Sequence, residues 1–469
     1  MSDNKSASST TAKKKSGFNV PHILIIITLV ILISCLLTYI APTGVYEMDA
    51  NNQAIAGSYH LVERKPISPW KALLMVKRGI ESASSIISLM LVAGGAISCI
   101  IETGAFTDIL NYGVYKLQDK SVTVLVPAIV VMMSLLGAFA GGDSMIAFVT
   151  VGIVICKKLR LDRIVAMSMF YLGYLLGQGA SFTSNMIIIF QQLCDVQPLS
   201  GMTVRALTLV IFTIVHAVYL TRYAMKISKD PNKSFVGGVL EPDSDMQEIE
   251  SASFPMRGII VALVMFGVYV FYALAAQAWG WGQEYLAAII ILNAIFSYII
   301  VYGKKANEMG KTFFKGAQNM GGICLVMGLA RVVGFVLSEG NVIHTISAAV
   351  ASLLGDSGLA MAGIGIFLFT LFFNLFIPSG TSKAAIMMPV LTPIGDVCGL
   401  TRQVVAFAYQ MGDSLTNTLT PMSGPLTGSL GLADVDYVQW IKYSAPLMGI
   451  LASIAGVMIA ILSSISWVG

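Results

Sequence analysis

Positions 1–19 (MSDNKSASSTTAKKKSGFN) are polar, and an apolar run from Val20 to Ala41 follows them. A run of about 20 apolar residues is long enough to cross a bilayer as a helix. No small-residue cleavage site follows it, so a retained first span is expected rather than a signal peptide. Further apolar stretches predict spans near 83–101, 163–194, 204–224, 256–276, 285–302, 318–338, 402–431 and 441–466, of which 163–194 and 402–431 are interrupted by polar residues. Two more, 122–156 and 359–395, are each broken in the middle, by AGGDS at 140–144 and by PSGTSK at 378–383. The arms on either side of these breaks look too short to span, and each stretch is expected to enter and leave the membrane on the same side. The pattern predicts an all-α polytopic membrane protein with a disordered cytoplasmic tail (1–19), a first half (20–225), a cytoplasmic linker (226–255) and a second half (256–469).

The halves repeat one another. Residues 78–110 lie over 315–347 without a gap, pairing Gly79 with Gly316 and Glu102 with Glu339. The same offset lays 137–147 over 374–384, tip on tip, with Phe139 on Phe376. Two residues of insertion later, 163–185 falls over 402–424, pairing Gly173 with Gly412. One predicted span precedes the first unit and two precede the second, so the repeats are expected to be inverted. Basic residues agree: Lys157, Lys158, Arg160 and Arg163 follow the first hairpin, only Arg402 follows its counterpart, and 303–315 carries Lys304, Lys305, Lys311 and Lys315. Lys71, Lys77 and Arg78 run against this trend, falling near the external face.

Composition narrows the function classes. Of 469 residues, 56% are hydrophobic and 12% charged, with a net charge of +4. A soluble domain carries about 25% charged residues, so a cytosolic enzyme is excluded, and the small, scattered basic excess argues against nucleic acid as a partner. Six cysteines and four histidines stand apart, with no spacing that suits a structural metal.

Inverted repeats with broken helices are the architecture of secondary transporters, because unpaired backbone groups at membrane depth are tolerated only beside a cavity or a ligand. Four breaks are predicted: the two tips, 177–185 (GQGASFTSN) and 413–424 (DSLTNTLTPMSG). Helix N-termini at Ser144 and Thr381 would offer partial positive charge to a carboxylate. An ionisable side chain near a helix centre costs roughly 2.5–3.5 kcal/mol to insert and marks a candidate site. Asp143 and Asp413, within breaks, are candidates for a coupling ion or a substrate ammonium, together with Gly142 and Ser414. Lys383 and Arg331 are candidates for a substrate carboxylate, against internal pairing with an acid. Glu102 and Glu339 close their helices at the membrane edge.

Three stretches, IAPTGVYEMDANNQAIAGSYH, FIPSGTSKAAIMMPVLTPIGD and YQMGDSLTNTLTPMSG, resemble the YfcC group of bacterial membrane proteins. That group is related to anaerobic C4-dicarboxylate carriers and to basic amino-acid antiporters within the ion transporter superfamily. The resemblance covers nearly the whole chain after residue 19. It implies an elevator-type carrier in the bacterial inner membrane, dimeric through its scaffold and coupled to Na+ or H+ or working by exchange. Dicarboxylate members carry paired Ser-Asn-Thr signatures, of which this chain matches Thr183-Ser184-Asn185 and Thr416-Asn417-Thr418, while its first tip reads Gly-Gly-Asp-Ser.

The expected substrate contacts are therefore Ser144, Thr183, Ser184, Asn185, Ser379, Gly380, Thr381, Ser382, Lys383, Thr416, Asn417 and Thr418. The expected solute is a small carboxylate-bearing metabolite, with an amino acid such as a basic amino acid favoured over a C4-dicarboxylate because the acids lie at the breaks. Two further readings compete: an intramembrane aspartyl protease, since Gly-Asp-Ser occurs at 142–144 and 412–414, and a passive channel built on the hairpins.

Overall fold

The computed structural model describes residues 23–47, 58–117, 120–140, 148–241, 252–303, 305–354, 358–375, 380–421 and 423–469. The polar tail, the first tip with Gly142, Asp143 and Ser144, and Ser379 of the second tip lie outside these residues. The first half opens with α1 (Ile23–Ile40), followed by an antiparallel ribbon of β1 (Gly44–Val45) and β2 (His60–Leu61). Then come α2 (Pro69–Ser82), α3 (Ser84–Glu102) and α4 (Ala105–Leu117). Helices α5 (Val122–Ala140) and α6 (Val149–Leu159) precede the interrupted element α7 (Arg163–Met167), a π turn (Ser168–Leu172), α8 (Gly173–Gly179) and α9 (Asn185–Leu193). The half ends on α10 (Met202–Lys229).

The second half runs α11 (Met256–Trp279), α12 (Gln283–Tyr302), α13 (Ala306–Glu339) and α14 (Ile343–Leu354). It continues with the hairpin α15 (Gly358–Asn374) and α16 (Gly380–Val397), the broken pair α17 (Arg402–Thr416) and α18 (Gly424–Ala433), and α19 (Tyr437–Ser464). Five helices among the described residues are long and apolar enough to cross a membrane, and α2 with α3 forms a sixth candidate bent by 57°.

Three local expectations are corrected. The span near 83–101 gains a preceding helix, α2, started by Pro69 at its first position and by Ser68, whose hydroxyl accepts from the Lys71 amide. Its amphipathic pattern hides it from a search for apolar runs. The helix breaks are also shorter: α17 continues through Thr416, so Asp413 and Ser414 sit in regular helix and the break is 417–423, while α8 continues to Gly179. One of the arms expected to be too short, α5, is among the five helices of spanning length, whereas α6 has only 11 residues. The chain after α10 is tied down as well: buried Asp162 accepts from Val165 N (2.9 Å), Ser234 Oγ (2.8 Å) and the Tyr223 hydroxyl, and Leu240 N donates to Leu161 O.

The basic residues that ran against the charge trend are ion-paired. Glu339 at the end of α13 takes Arg78 at 2.6 Å and Lys71 at 3.1 Å, and Lys77 pairs with Glu81 at 3.3 Å. Helices α1, α2, α3, α12 and α13 pack as one group, with α11 against α12 and α4. Helices α5, α8, α10, α15, α17 and α19 pack as a second, and α16 and α9 lie between the two groups.

Equivalent positions of the sequence repeats make equivalent contacts. Ser181 Oγ donates to Ala138 O at 2.7 Å, and its counterpart Thr420 Oγ1 donates to Leu375 O, the counterpart of Ala138, at 2.8 Å. A Cβ on Gly173 would meet Met133 and Val130 O, and one on Gly412 would meet the matching Thr370 and Phe367 O. The ends are exchanged: Arg163, opening α7, pairs with Asp434 beyond α18 at 2.6 Å, and Arg402, opening α17, pairs with Asp195 beyond α9 at 3.1 Å. Asp195 and Asp434 share the left-handed backbone, with φ of 54° and 51°. Start against end, twice over, means that the two interrupted elements run antiparallel. Arg163→Asp is expected to lower stability by only about 0.2–1 kcal/mol, since the pair is exposed. Adding Asp434→Arg should recover that loss in thermal unfolding in detergent, and failure to recover it would deny the pairing.

Candidate functional site

The second tip is built around Asn374, the last residue of α15. Its Nδ2 reaches Asp413 O and Thr416 Oγ1, each at 2.7 Å, and Asn417 Oδ1 at 3.0 Å. Its Oδ1 accepts from Lys383 Nζ. Lys383, in the first turn of α16, is fully buried, and the same Nζ lies 2.7 Å from Asp413 Oδ1 and 5.3 Å from the Tyr409 ring centroid. Tyr409 in turn donates to Gly380 O at 2.8 Å. One amide, one ammonium and one carboxylate thus fasten α15, α16 and α17 together where the break begins.

The two halves meet here. A Cβ on Gly380 would come within 2.5 Å of Met186 Cε and 2.6 Å of Asp413 Oδ2, so the start of α16 lies close against α17 and the start of α9, and a larger residue there would displace the Asp413 carboxylate and the Met186 side chain. Two helix N-termini therefore converge beside one carboxylate–ammonium pair, and such ends favour anions. On the first-half side, Ser181 organises the break: its hydroxyl accepts from Thr183 N (3.1 Å) and Ser184 N (2.8 Å) while donating to Ala138 O. Thr183 Oγ1 also donates to Ala138 O, at 2.9 Å. Gln410 of α17 bonds Gly179 O and Ser181 O through Nε2, and its Oε1 accepts from Arg205 Nε at 2.9 Å. Arg205 is itself buried and donates to Ser200 O.

The residues expected from the sequence fall into three sets. Gly380, Lys383, Asp413, Thr416 and Asn417 are brought together, with Ser414 against Gly179 across the α8–α17 crossing. Thr183 and Ser184 lie in the first break, Asn185 opens α9, and Thr381 and Ser382 lie in the first turn of α16. Thr418 turns away: its hydroxyl caps Leu415 O and its carbonyl accepts from Trp440 Nε1. Arg331 stands apart on α13. Sequence reasoning missed Asn374, Gln410 and Arg205. Asn374 was visible as the one amide in the apolar run GLAMAGIGIFLFTLFFNLF, whereas Arg205 sits near a helix start and resembles an interfacial charge. Among the described residues no group of three or more His, Cys, Asp or Glu side chains could hold a metal ion.

Comparison with known proteins now bears on this geometry. The family model for DcuC, the C4-dicarboxylate anaerobic carriers, matches residues 20–464. The chain belongs to the DcuC family. This DcuC-family protein is a secondary transporter of the multi-pass membrane class, not an enzyme, which sets the aspartyl-protease reading aside. It is similar to an Escherichia coli protein named "Putative basic amino acid antiporter YfcC", with 26% identity covering 96% of this chain and 97% of that protein. Its fold is similar to the Neisseria gonorrhoeae MtrF structure (TM-score 0.73, 15% identity, 96% of each chain covered). It is likewise similar to the Alcanivorax borkumensis YdaH transporter (TM-score 0.69, 15% identity, 96% of this chain and 99% of that one).

Proposed function

We propose that this DcuC-family transporter carries a small amino acid, a basic amino acid foremost, by ion-coupled transport or exchange. The observation that carries the reading is the buried Lys383–Asp413 pair beside two converging helix N-termini. An unpaired buried charge is expensive, so a solute that takes one partner must compensate the other. An amino acid presents a carboxylate to Lys383 and an ammonium to Asp413 at once. A dicarboxylate would leave Asp413 unmatched, although the family's own name keeps C4-dicarboxylates as the second reading. The name of the Escherichia coli relative supports the first.

On this reading the solute lies against Ser144, Thr183, Ser184, Asn185, Ser379, Gly380, Thr381, Ser382, Lys383, Thr416 and Asn417. Gly142, Asp143, Asp413 and Ser414 serve the coupling Na+ or H+ or the solute ammonium. The equivalent contacts and exchanged ion pairs support two inverted repeats, and the two packing groups support an elevator, with α5–α10 and α15–α19 moving against α1–α4 and α11–α14. The chain would sit in the bacterial inner membrane with its N-terminus in the cytoplasm, as a homodimer; the basic ends of α6 and α10 support the orientation, and the family resemblance supports the dimer.

Uptake and counterflow in proteoliposomes, with arginine, ornithine, neutral amino acids, malate and succinate, test the reading with and without a Na+ gradient. Saturable flux and exchange acceleration by amino acids are expected. Acceleration by malate or succinate alone would select the dicarboxylate reading, and flux that neither saturates nor exchanges would indicate a channel.

A further inference from the structure

Between the two packing groups lies a cavity of about 460 Å³, at the end of the molecule where Arg402 pairs with Asp195. The loop after α9, the α11–α12 loop around Trp281, the α2–α3 bend and α13 enclose it. Two of its lining groups are built to bind and have nothing to bind. Gln192, at the end of α9, is 2% exposed, and neither its Oε1 nor its Nε2 has a hydrogen-bond partner. Arg331, from α13 opposite, makes no ion pair among the described residues, and its buried Nε is also unpartnered. Leaving a buried amide unsatisfied is costly, and a charged guanidinium costs more. Other buried polar atoms, Arg205 Nη2 and Asn293 Nδ2 among them, also lack a partner, but among the described residues Gln192 and Arg331 are the two such groups that line this cavity.

We propose that this crevice is a second solute site, binding a carboxylate between the Arg331 guanidinium and the Gln192 amide. A guanidinium and an amide N–H together offer a planar carboxylate charge-assisted donors, the arrangement that favours arginine over lysine at such sites. Asp195, on the rim and already held by Arg402, gives an ammonium-bearing solute a second contact that a dicarboxylate lacks. Arg331 is on α13 of the first packing group and Gln192 on α9, which lies between the groups, so a bound carboxylate ties α13 to α9. The site is distinct from the Lys383–Asp413 cluster. Its role as the entry point from outside rests on the carrier reading and on the proposed orientation; its affinity for a carboxylate does not.

The test uses the full-length protein in detergent carrying Lys383→Met and Asp413→Leu, so that the tip pair is gone. Trp281 fluorescence is titrated with L-arginine, with succinate, and with agmatine, which is arginine without its carboxylate; Trp281→Phe assigns the signal. L-arginine or succinate should change the signal saturably and agmatine should not, with Arg331→Gln or Gln192→Glu weakening the response about thirty-fold and Arg331→Lys recovering part of it. A stronger response to L-arginine than to succinate assigns the amino acid as occupant, and the reverse assigns a dicarboxylate. A response equal for agmatine, or unchanged in both Arg331→Gln and Gln192→Glu, overturns the site. In proteoliposomes of otherwise unaltered protein, Arg331→Gln should raise KM for solute presented from outside and leave KM from inside unchanged. Absence of all flux together with an Arg331-dependent fluorescence response would reject the carrier reading and keep the site; saturable flux without that response would do the opposite.

Discussion

Asp413→Asn is expected to abolish solute flux, reducing initial rates in proteoliposomes at least about a hundredfold, and to lower thermal stability as well. The physical cause is the orphaned Lys383 ammonium. It is fully buried, its other partner is the neutral Asn374 amide oxygen, and removing one member of a buried pair costs about 3–5 kcal/mol. Lys383→Met alone carries the mirror-image penalty by stranding the Asp413 carboxylate. Removing both charges separates stability from function: the Lys383→Met, Asp413→Leu protein should unfold at or near the original temperature, because apolar replacement of a buried pair is often neutral. It should still transport nothing, since on the proposed reading it has lost the groups that exchange partners with the solute. Flux retained by the double variant would remove this pair from the transport site.

Gly137→Val and Gly177→Val are expected to prevent folding. A Cβ on Gly137 would stand 2.0 Å from Tyr174 O, and one on Gly177 the same distance from Ser134 O. These are helix carbonyls, fixed by their own hydrogen bonds, so α5 and α8 would have to part by about 1 Å along their whole crossing. That separation would also pull Ser134 Oγ from Gly173 O, now 3.1 Å away, and loosen the first break. Helix backbones in membranes approach most closely at such small residues. Gly267→Ala and Gly449→Ala provide the contrast, because a Cβ at either meets nothing within 4 Å. Size-exclusion profiles should show aggregation for the first two variants and monodisperse protein for the second two. Normal behaviour of Gly177→Val would refute the crossing.

Much of the fold was legible because lipid demands long apolar runs and punishes every interruption. The positions of α1, α5, α10 to α13, α15, α16 and α19 follow from that demand. The internal repeat was legible for a related reason: contacts such as Gly173 on Met133 and Gly412 on Thr370 constrain the same positions in both halves. The α2 helix was not, since an amphipathic segment at the membrane edge carries no apolar run. Nor was the end of α17, where two polar residues that suit a break are held in helix: Asn374 and Lys383 satisfy Asp413 from neighbouring elements, and the Ser414 hydroxyl donates to Met411 O within α17.

The sequence by itself determined that this chain lives in a membrane and that its halves repeat, and it marked four polar breaks and the charges Asp143, Arg331, Lys383 and Asp413 as candidates. Which of those charges meet was decided only by the tertiary structure. Lys383 and Asp413 are thirty residues apart, Arg331 and Gln192 lie in different halves, and Arg163 and Asp434 are joined across the repeats. Hydropathy reports how deep a residue lies in the bilayer, because that depends on its own side chain and immediate neighbours. Pairing depends on how helices far apart in sequence cross, and those crossings are set by glycines whose close contacts appear only once the helices are packed.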